Sequence, residues 1–182
     1  MLKATIVQSE DELNQIYYLN RQNLKQHLSN EERATEGFVT WLYELRLLKA
    51  LHELAPGIIV KDKDKVVAYA LTALPQARTF HPDLDIMFRY LESLEYKGHA
   101  LLSYRFYCMG QICVDKNYRG KGLVQELYNK HKEIYSNKYQ LLITEVSTAN
   151  VRSQKAHEKV GFKTIHTYKD AMDEWNVVVW EW

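Results

Sequence analysis

The sequence predicts one α/β domain, an α+β three-layer arrangement in which helices cover a mixed β-sheet. Three observations lead there. At 182 residues the chain is long enough for one well-buried core and short for two. Hydrophobic residues make up 46% and charged residues 26%, the balance of an ordinary water-soluble globular protein. The periodicities run strand, two helices, two hairpin strands, an inserted helix, then strand-helix-strand-helix-strand-strand, an order that buries its apolar faces by layering helices on a sheet.

Residues 2–8 alternate and read as a strand. Ser9-Glu10-Asp11-Glu12 has the S-x-x-E form of a capping box, and a helix is expected from there to about His27. After Gly37, the residues Phe38, Trp41, Leu42, Leu45, Leu48 and Leu51 recur at helical spacing, closed by Pro56-Gly57. Ile58-Ile59-Val60 and Val66 to Leu71 read as strands joined by the charged turn 61–65, a solvated connector. The longest irregular stretch should run from Leu74 to Pro82, followed by a helix over 84–95 with Ile86, Met87, Tyr90, Leu91 and Leu94 inward. Leu101 to Val114 is strand-like, 120–135 helical, and Tyr139 to Val146 a strand. A helix over 150–160 ends at Gly161, a glycine suited to the left-handed cap, and strands near 162–168 and 175–181 complete the order. Trp175, Trp180 and Trp182 make the last strand aromatic; it is either buried in the core or paired with a second copy of the chain.

Charge and composition exclude several classes. The net charge of +1 gives no overall field that would favour nucleic acid or an anionic membrane. The opening residues, Met1 to Thr5, lack the apolar core of a secretion signal, and no uncharged apolar run approaches the ~20 residues needed to cross a bilayer. Cys108 and Cys113 lie five apart in a strand, which points them to opposite faces, so they read as two free thiols in a reducing cytoplasm.

The strongest chemical signal is the strand–turn–helix passage from Gly110 to Val124, with Arg119-Gly120-Lys121-Gly122-Leu123-Val124 at the turn. A helix start exposes unpaired N–H groups and the positive end of its dipole, so a phosphate placed there is stabilised. Glycine keeps side chains from holding phosphate oxygens off the backbone, while Arg119 and Lys121 add mobile positive charge. The plainer reading is a basic turn whose glycines begin a helix. G-x-x-x-x-G-K-[ST] is absent, and Gln125 stands where G-x-G-x-x-G needs its third glycine, which disfavours nucleotide triphosphates and NAD. The second signal is Glu145, in an otherwise apolar strand on the same face as Leu141 and Ile143. Partial burial there raises its pKa and suits it to accept a proton near neutrality; an exposed or ion-paired glutamate is the alternative. Asn150, Ser153 and His157 share one helix face, where Asn150 either caps the helix or meets a ligand, and His157 is either structural or part of a site.

Strand–Arg-Gly-Lys-Gly-Leu–helix, then strand–Glu-Val…Asn–helix–Glu-Lys-Val-Gly-Phe, resembles the GNAT superfamily of N-acyltransferases, closely over residues 100–168 and in element order elsewhere. The family motif Q/R-x-x-G-x-G/A is here Arg119-x-x-Gly122-x-Val124, with Val124 departing from the small last residue. The resemblance implies a mostly antiparallel central sheet of about 6–7 strands within a single domain, 1–182. Its cofactor half would be about 100–168 and its acceptor-side elements about 9–55 and 75–100. It implies acetyl-CoA as cofactor: the backbone of Ile112, Cys113 and Val114 would pair with the pantetheine arm, and amides from Arg119, Gly120, Lys121, Gly122, Leu123 and Val124 would hold the pyrophosphate. Asn150, with Ser153 beside it, would contact the cofactor. Glu145 stands where some members carry a base. His157, twelve residues on, stands where some carry a tyrosine as general acid. The implied activity is direct transfer of acetyl from acetyl-CoA to a primary amine of a small molecule or peptide in a ternary complex, with no metal. A catalytically silent CoA-binding module is the alternative.

Overall fold

The computed structural model describes residues 2–182; Met1 lies outside them. Strand β1 (Ala4–Ile6) leads into helix α1 (Glu10–Gln22), where Ser9 Oγ accepts the Glu12 N–H at 3.2 Å. The Glu12 carboxylate reaches past the cap to the Gln8 N–H, 2.6 Å away. Helix α1 stops at Gln22 rather than His27. The Lys25 N–H donates to the Val39 carbonyl and the Val39 N–H to the Asn23 carbonyl, which ties the departing chain to a distant segment. A short helix α2 (Asn30–Glu36) comes next, started by a full capping box between Ser29 and Glu32. Residues 37–44 are extended, not helical, and helix α3 (Leu45–Leu54) forms only the second half of the expected run.

Strands β2 (Ile58–Asp62) and β3 (Lys65–Ala73) form the expected hairpin. Helix α4 (Pro82–Glu92) buries Leu84, Phe88 and Leu91, whereas Ile86, expected inward, stands 65% exposed. Strands β4 (Glu95–Tyr96) and β5 (His99–Ala100) make a small separate ribbon. Then come β6 (Phe106–Val114), α5 (Leu123–Tyr135), β7 (Leu141–Ser147), α6 (Val151–Val160), β8 (Lys163–Lys169) and β9 (Glu174–Glu181). Gly161 closes α6 with φ +118°.

Among the described residues the main sheet has seven strands in the order β1-β2-β3-β6-β7-β9-β8, antiparallel throughout except for the parallel pair β6/β7. One face packs α1, α3 and α4 through Leu13, Ile16, Leu48 and Phe88. The other packs α5 through Leu123, Leu127 and Tyr128, together with Phe162 and Trp180. This is the three-layer mixed sheet that the periodicities predict. Trp180 lies in the core, and no helix is long and apolar enough to cross a membrane among the described residues.

The two cysteines do not obey simple alternation. Pairing of β6 with β3 slips by one residue between Met109 and Ile112, leaving an extra residue in the bulged strand around Gly110 and Gln111. The bulge reverses the parity of every later residue in the strand, so Cys108 and Cys113 point into the same core, and both are free. The opposite-face expectation fails for that reason.

Candidate active site

The site begins where two neighbouring strands part. The parallel pairing of β6 with β7 holds only from Phe106↔Leu141 to Cys108↔Ile143. One further tie, from Thr144 Oγ1 to the Met109 carbonyl at 2.9 Å, lies just beyond it. From there β7 continues against β9 and β6 against β3, and a wedge opens between them. The Asp115 N–H donates to the Val67 carbonyl, so strand alternation turns the Cys113 N–H toward β3 as well. Ile112 and Val114 therefore present their N–H groups to the wedge. Cys113, expected to pair alongside them, turns its N–H to β3 and its side chain to the core, where burial pushes the thiol up to about 12.

Below Val114 the turn expected to cradle phosphate is open. Gly120 and Gly122 hold φ of +75° and +77°, and a Cβ on either would meet nothing within 4 Å. Gly122 is the N-cap of α5 with no side-chain cap, so the helix begins at Leu123, three residues later than expected. Among the described residues no protein acceptor takes the N–H groups from Gly120 to Gln125. A cavity of about 310 Å³ runs from these amides along Ile112 and Val114 to α6. Arg119 is not mobile: Nε donates to the Val114 carbonyl (3.2 Å), Nη1 to Glu36 (2.8 Å) and Nη2 to Asn23 Oδ1 (2.8 Å). Lys121 stays outside the cavity wall, with its Nζ 4.6 Å from the centre of the Tyr118 ring. Arg152, at 3.2 Å from the same Glu36, brings a second guanidinium that no motif in the sequence singles out.

A second cavity of about 400 Å³ lies on the other side of the wedge and shares Phe38, Val39, Ile112, Asn150, Ser153 and His157 with the first. Glu145 lines it near the end of β7. Burial lifts its carboxyl from 4.5 to about 7, and a 2.8 Å hydrogen bond donated by Tyr168 opposes the lift in part. A carboxylate that accepts a proton near neutrality has the property a general base needs. Its wall opposite comes from the extended segment 37–44, whose backbone is held by side chains rather than by a ladder. Asn20 Nδ2 and Gln111 Nε2 both donate to the Trp41 carbonyl, Asn20 Oδ1 accepts the Tyr43 N–H, and Asn150 Nδ2 donates to the Phe38 carbonyl. Asn20 was detectable: it falls on the apolar stripe of α1 with Leu13 and Ile16, where a polar residue needs a partner.

Asn150 caps α6, its Oδ1 accepting the Ser153 N–H at 3.2 Å, which is the capping alternative; it also lies on the walls of both cavities. His157 shares the helix face with Ser153 as expected, but its ring is fully engaged. Nδ1 lies 2.7 Å from the Ser153 carbonyl, which can only accept, so Nδ1 carries the proton. Nε2 must then accept from Tyr128 Oη, 2.6 Å away. Burial holds this imidazole neutral, pushed down to about 4. The expectation of His157 as a general acid meets a ring with no free N–H to donate.

The fold is shared widely among solved structures. The ribosomal-protein-S18-alanine N-acetyltransferase of Escherichia coli superposes with a TM-score of 0.65 at 13% identity, covering 100% of this chain and 94% of that one. yncA from Salmonella typhimurium, solved with its cofactor acetyl-CoA, gives 0.62 at 13% identity over 98% and 94%. An N-acetyltransferase from Staphylococcus aureus Mu50 gives 0.61 at 18% identity over 98% of each chain. No curated protein sequence matches the chain. The model of the acetyltransferase (GNAT) family matches residues 13–162.

Proposed function

The chain belongs to the acetyltransferase (GNAT) family, and from that premise we propose that it transfers acetyl from acetyl-CoA to a primary amine, with Glu145 as the base. The cofactor fits the residues present: the uncapped amides from Gly120 to Gln125 match a diphosphate, with the Gly120 and Gly122 backbone open to close approach. The Ile112 and Val114 N–H groups would pair with the amides of an extended arm laid along β6. When bound, acetyl-CoA supplies an activated acyl group on a thiol leaving group, which departs without needing a strong general acid.

The remaining work falls to the chain's own side chains and amides. Arg119, pinned by Val114, Glu36 and Asn23, fixes the turn and biases it toward an anion. Glu145 takes one proton from the ammonium form of the acceptor, directly or through one water, and holds it while the neutral amine attacks; the second proton, shed by the nitrogen as the amide forms, would pass to the leaving thiolate. Tyr168, donating to Glu145 Oε1, orients the carboxylate. His157 positions α6 against α5 through Tyr128. The two free buried cysteines fit a reducing, cytoplasmic setting.

The single observation that carries this reading is the raised, half-buried Glu145 carboxyl beside the wedge. Replacing Glu145 with Gln should lower kcat about 100-fold or more, the usual worth of a general base, while CoA binding measured by calorimetry stays unchanged. Wild-type rates in Glu145→Gln from pH 6 to 9 would remove Glu145 from the mechanism.

A further inference from the structure

The two cavities that meet at the wedge have opposite electrical characters. The one below Val114 is lined by Arg119, Arg152 and Lys159, with Glu36 as its acid. The one above it contains Asp83, Glu145 and Asp170 and, among the described residues, no lysine or arginine. His157, shared by both, is neutral. Among the described residues, every charged side chain that lines the upper cleft is therefore an acid. Its walls include the aromatic and thioether residues Trp41, Tyr43, Met87 and Trp175. Trp41 packs edge-on against Tyr43 with ring centres 4.5 Å apart. At the rim the lining stays apolar into solvent, where Ile86 is 65% and Met172 58% exposed. The other two acids, Asp83 and Asp170, are also exposed at this rim.

We propose, resting on the N-acetyltransferase reading above, that the acceptor is a small hydrophobic monoamine: a primary ammonium on an aryl or alkyl body, with no anionic group near the nitrogen. The chemistry excludes its competitors one by one. An amino acid would bring a carboxylate next to Glu145 with no cation to pair it, and burying an unpaired charge beside a like charge is strongly unfavourable. A short diamine would have to desolvate its second ammonium among Met87, Trp41 and Trp175. A peptide would bring backbone amides along its length to a cleft where the polar side chains of Gln111, Thr144, Ser147 and Asn150 are already paired within the chain. A hydrophobic amine instead buries its body on those walls and its ammonium at Glu145, and the rim acids raise its local concentration. A cavity of about 400 Å³ suits such a molecule, within the roughly 300–1,000 Å³ typical of small-ligand sites.

The test is a steady-state comparison at saturating acetyl-CoA of 2-phenylethylamine, phenylalanine, 1,4-diaminobutane and a tetrapeptide with an N-terminal phenylalanine. The expected result is a kcat/KM for 2-phenylethylamine at least 100-fold above each of the others. Preference for the amino acid, the diamine or the peptide overturns this inference and leaves N-acetyl transfer standing. Turnover of no amine, with CoA still bound in calorimetry, overturns both. Met87→Lys places a cation in the cleft wall. It should raise the KM for 2-phenylethylamine at least tenfold while the KM for acetyl-CoA stays put; an unchanged amine KM overturns the assignment of this cleft.

Discussion

At the scale of single residues, Glu145 and Tyr168 set the pH response of the candidate site. Glu145 titrates near 7 in the folded chain, chiefly because burial disfavours its charged form, and Tyr168 pulls the other way by hydrogen bonding to that form. The acid limb of kcat/KM should therefore fall near pH 7. Tyr168→Phe should move it to higher pH, because the charged carboxylate loses a donor; a pH–rate profile that stays in place would dissociate Tyr168 from the base. The same carboxyl affects stability with a definite sign. The unfolded chain releases this proton at 4.5, the folded chain at about 7, so the folded state holds the extra proton in between. Stability from this group is full below pH 4.5 and lost as pH rises through 7. Glu145→Gln, inactive as an enzyme, should for that reason unfold at higher urea than the parent at pH 8.5, by about 1–3 kcal/mol, and differ less at pH 5.5.

At the scale of elements, the turn before α5 is the part of the candidate site most legible in the sequence, and the segment 37–44 the least. A strand, two glycines beside basic residues and a helix can be read locally, because each piece is dictated by its own residues: Gly122 takes φ +77° where most residues would be strained. Gly122→Ala should weaken CoA binding about tenfold by calorimetry, while folding stability falls by only about 1 kcal/mol from backbone strain. Phe38, Trp41 and Leu42, by contrast, recur with helical spacing yet lie in extended chain. Their burial comes from being wedged between α1, α6 and the cleft, and their backbone is satisfied by Asn20, Gln111 and Asn150, partners up to 112 residues away. No local periodicity carries that information. The bulge at Gly110 and Gln111 defeats the opposite-face expectation for the cysteines likewise, since one extra residue reverses a two-residue period. Gly110 has its own constraint there: a Cβ would lie 2.7 Å from Tyr43 Oη, the hydroxyl that donates to the Gly110 carbonyl at 3.0 Å.

At the scale of the whole molecule, burial of two neutral histidines sets a limit on acid tolerance. His131 and His157 are pushed down to about 3 and about 4, both by burial, from 6.5. The unfolded chain binds those protons first, so the stability they contribute is present above pH 6.5 and lost as pH falls toward 4 and 3. Two such groups outweigh the single opposing Glu145, and calorimetry should show the melting temperature falling between pH 7 and pH 4.5; a flat curve would contradict the buried, uncharged state of both rings. That helices layer on a mixed sheet was readable from the alternation of periods, because it is set by which faces must be covered; the order of strands across the sheet was not, since it rests on long-range pairing. Nor was how tightly its halves are joined. Three rungs tie Phe106–Cys108 to Leu141–Ile143, with the Thr144 and Arg105 hydrogen bonds at either end, so the sheet is two rafts joined along a short seam. A molecule lodged in the notch would act as a splint: it should slow hydrogen exchange at the Ile112 and Val114 amides and stiffen both rafts at once.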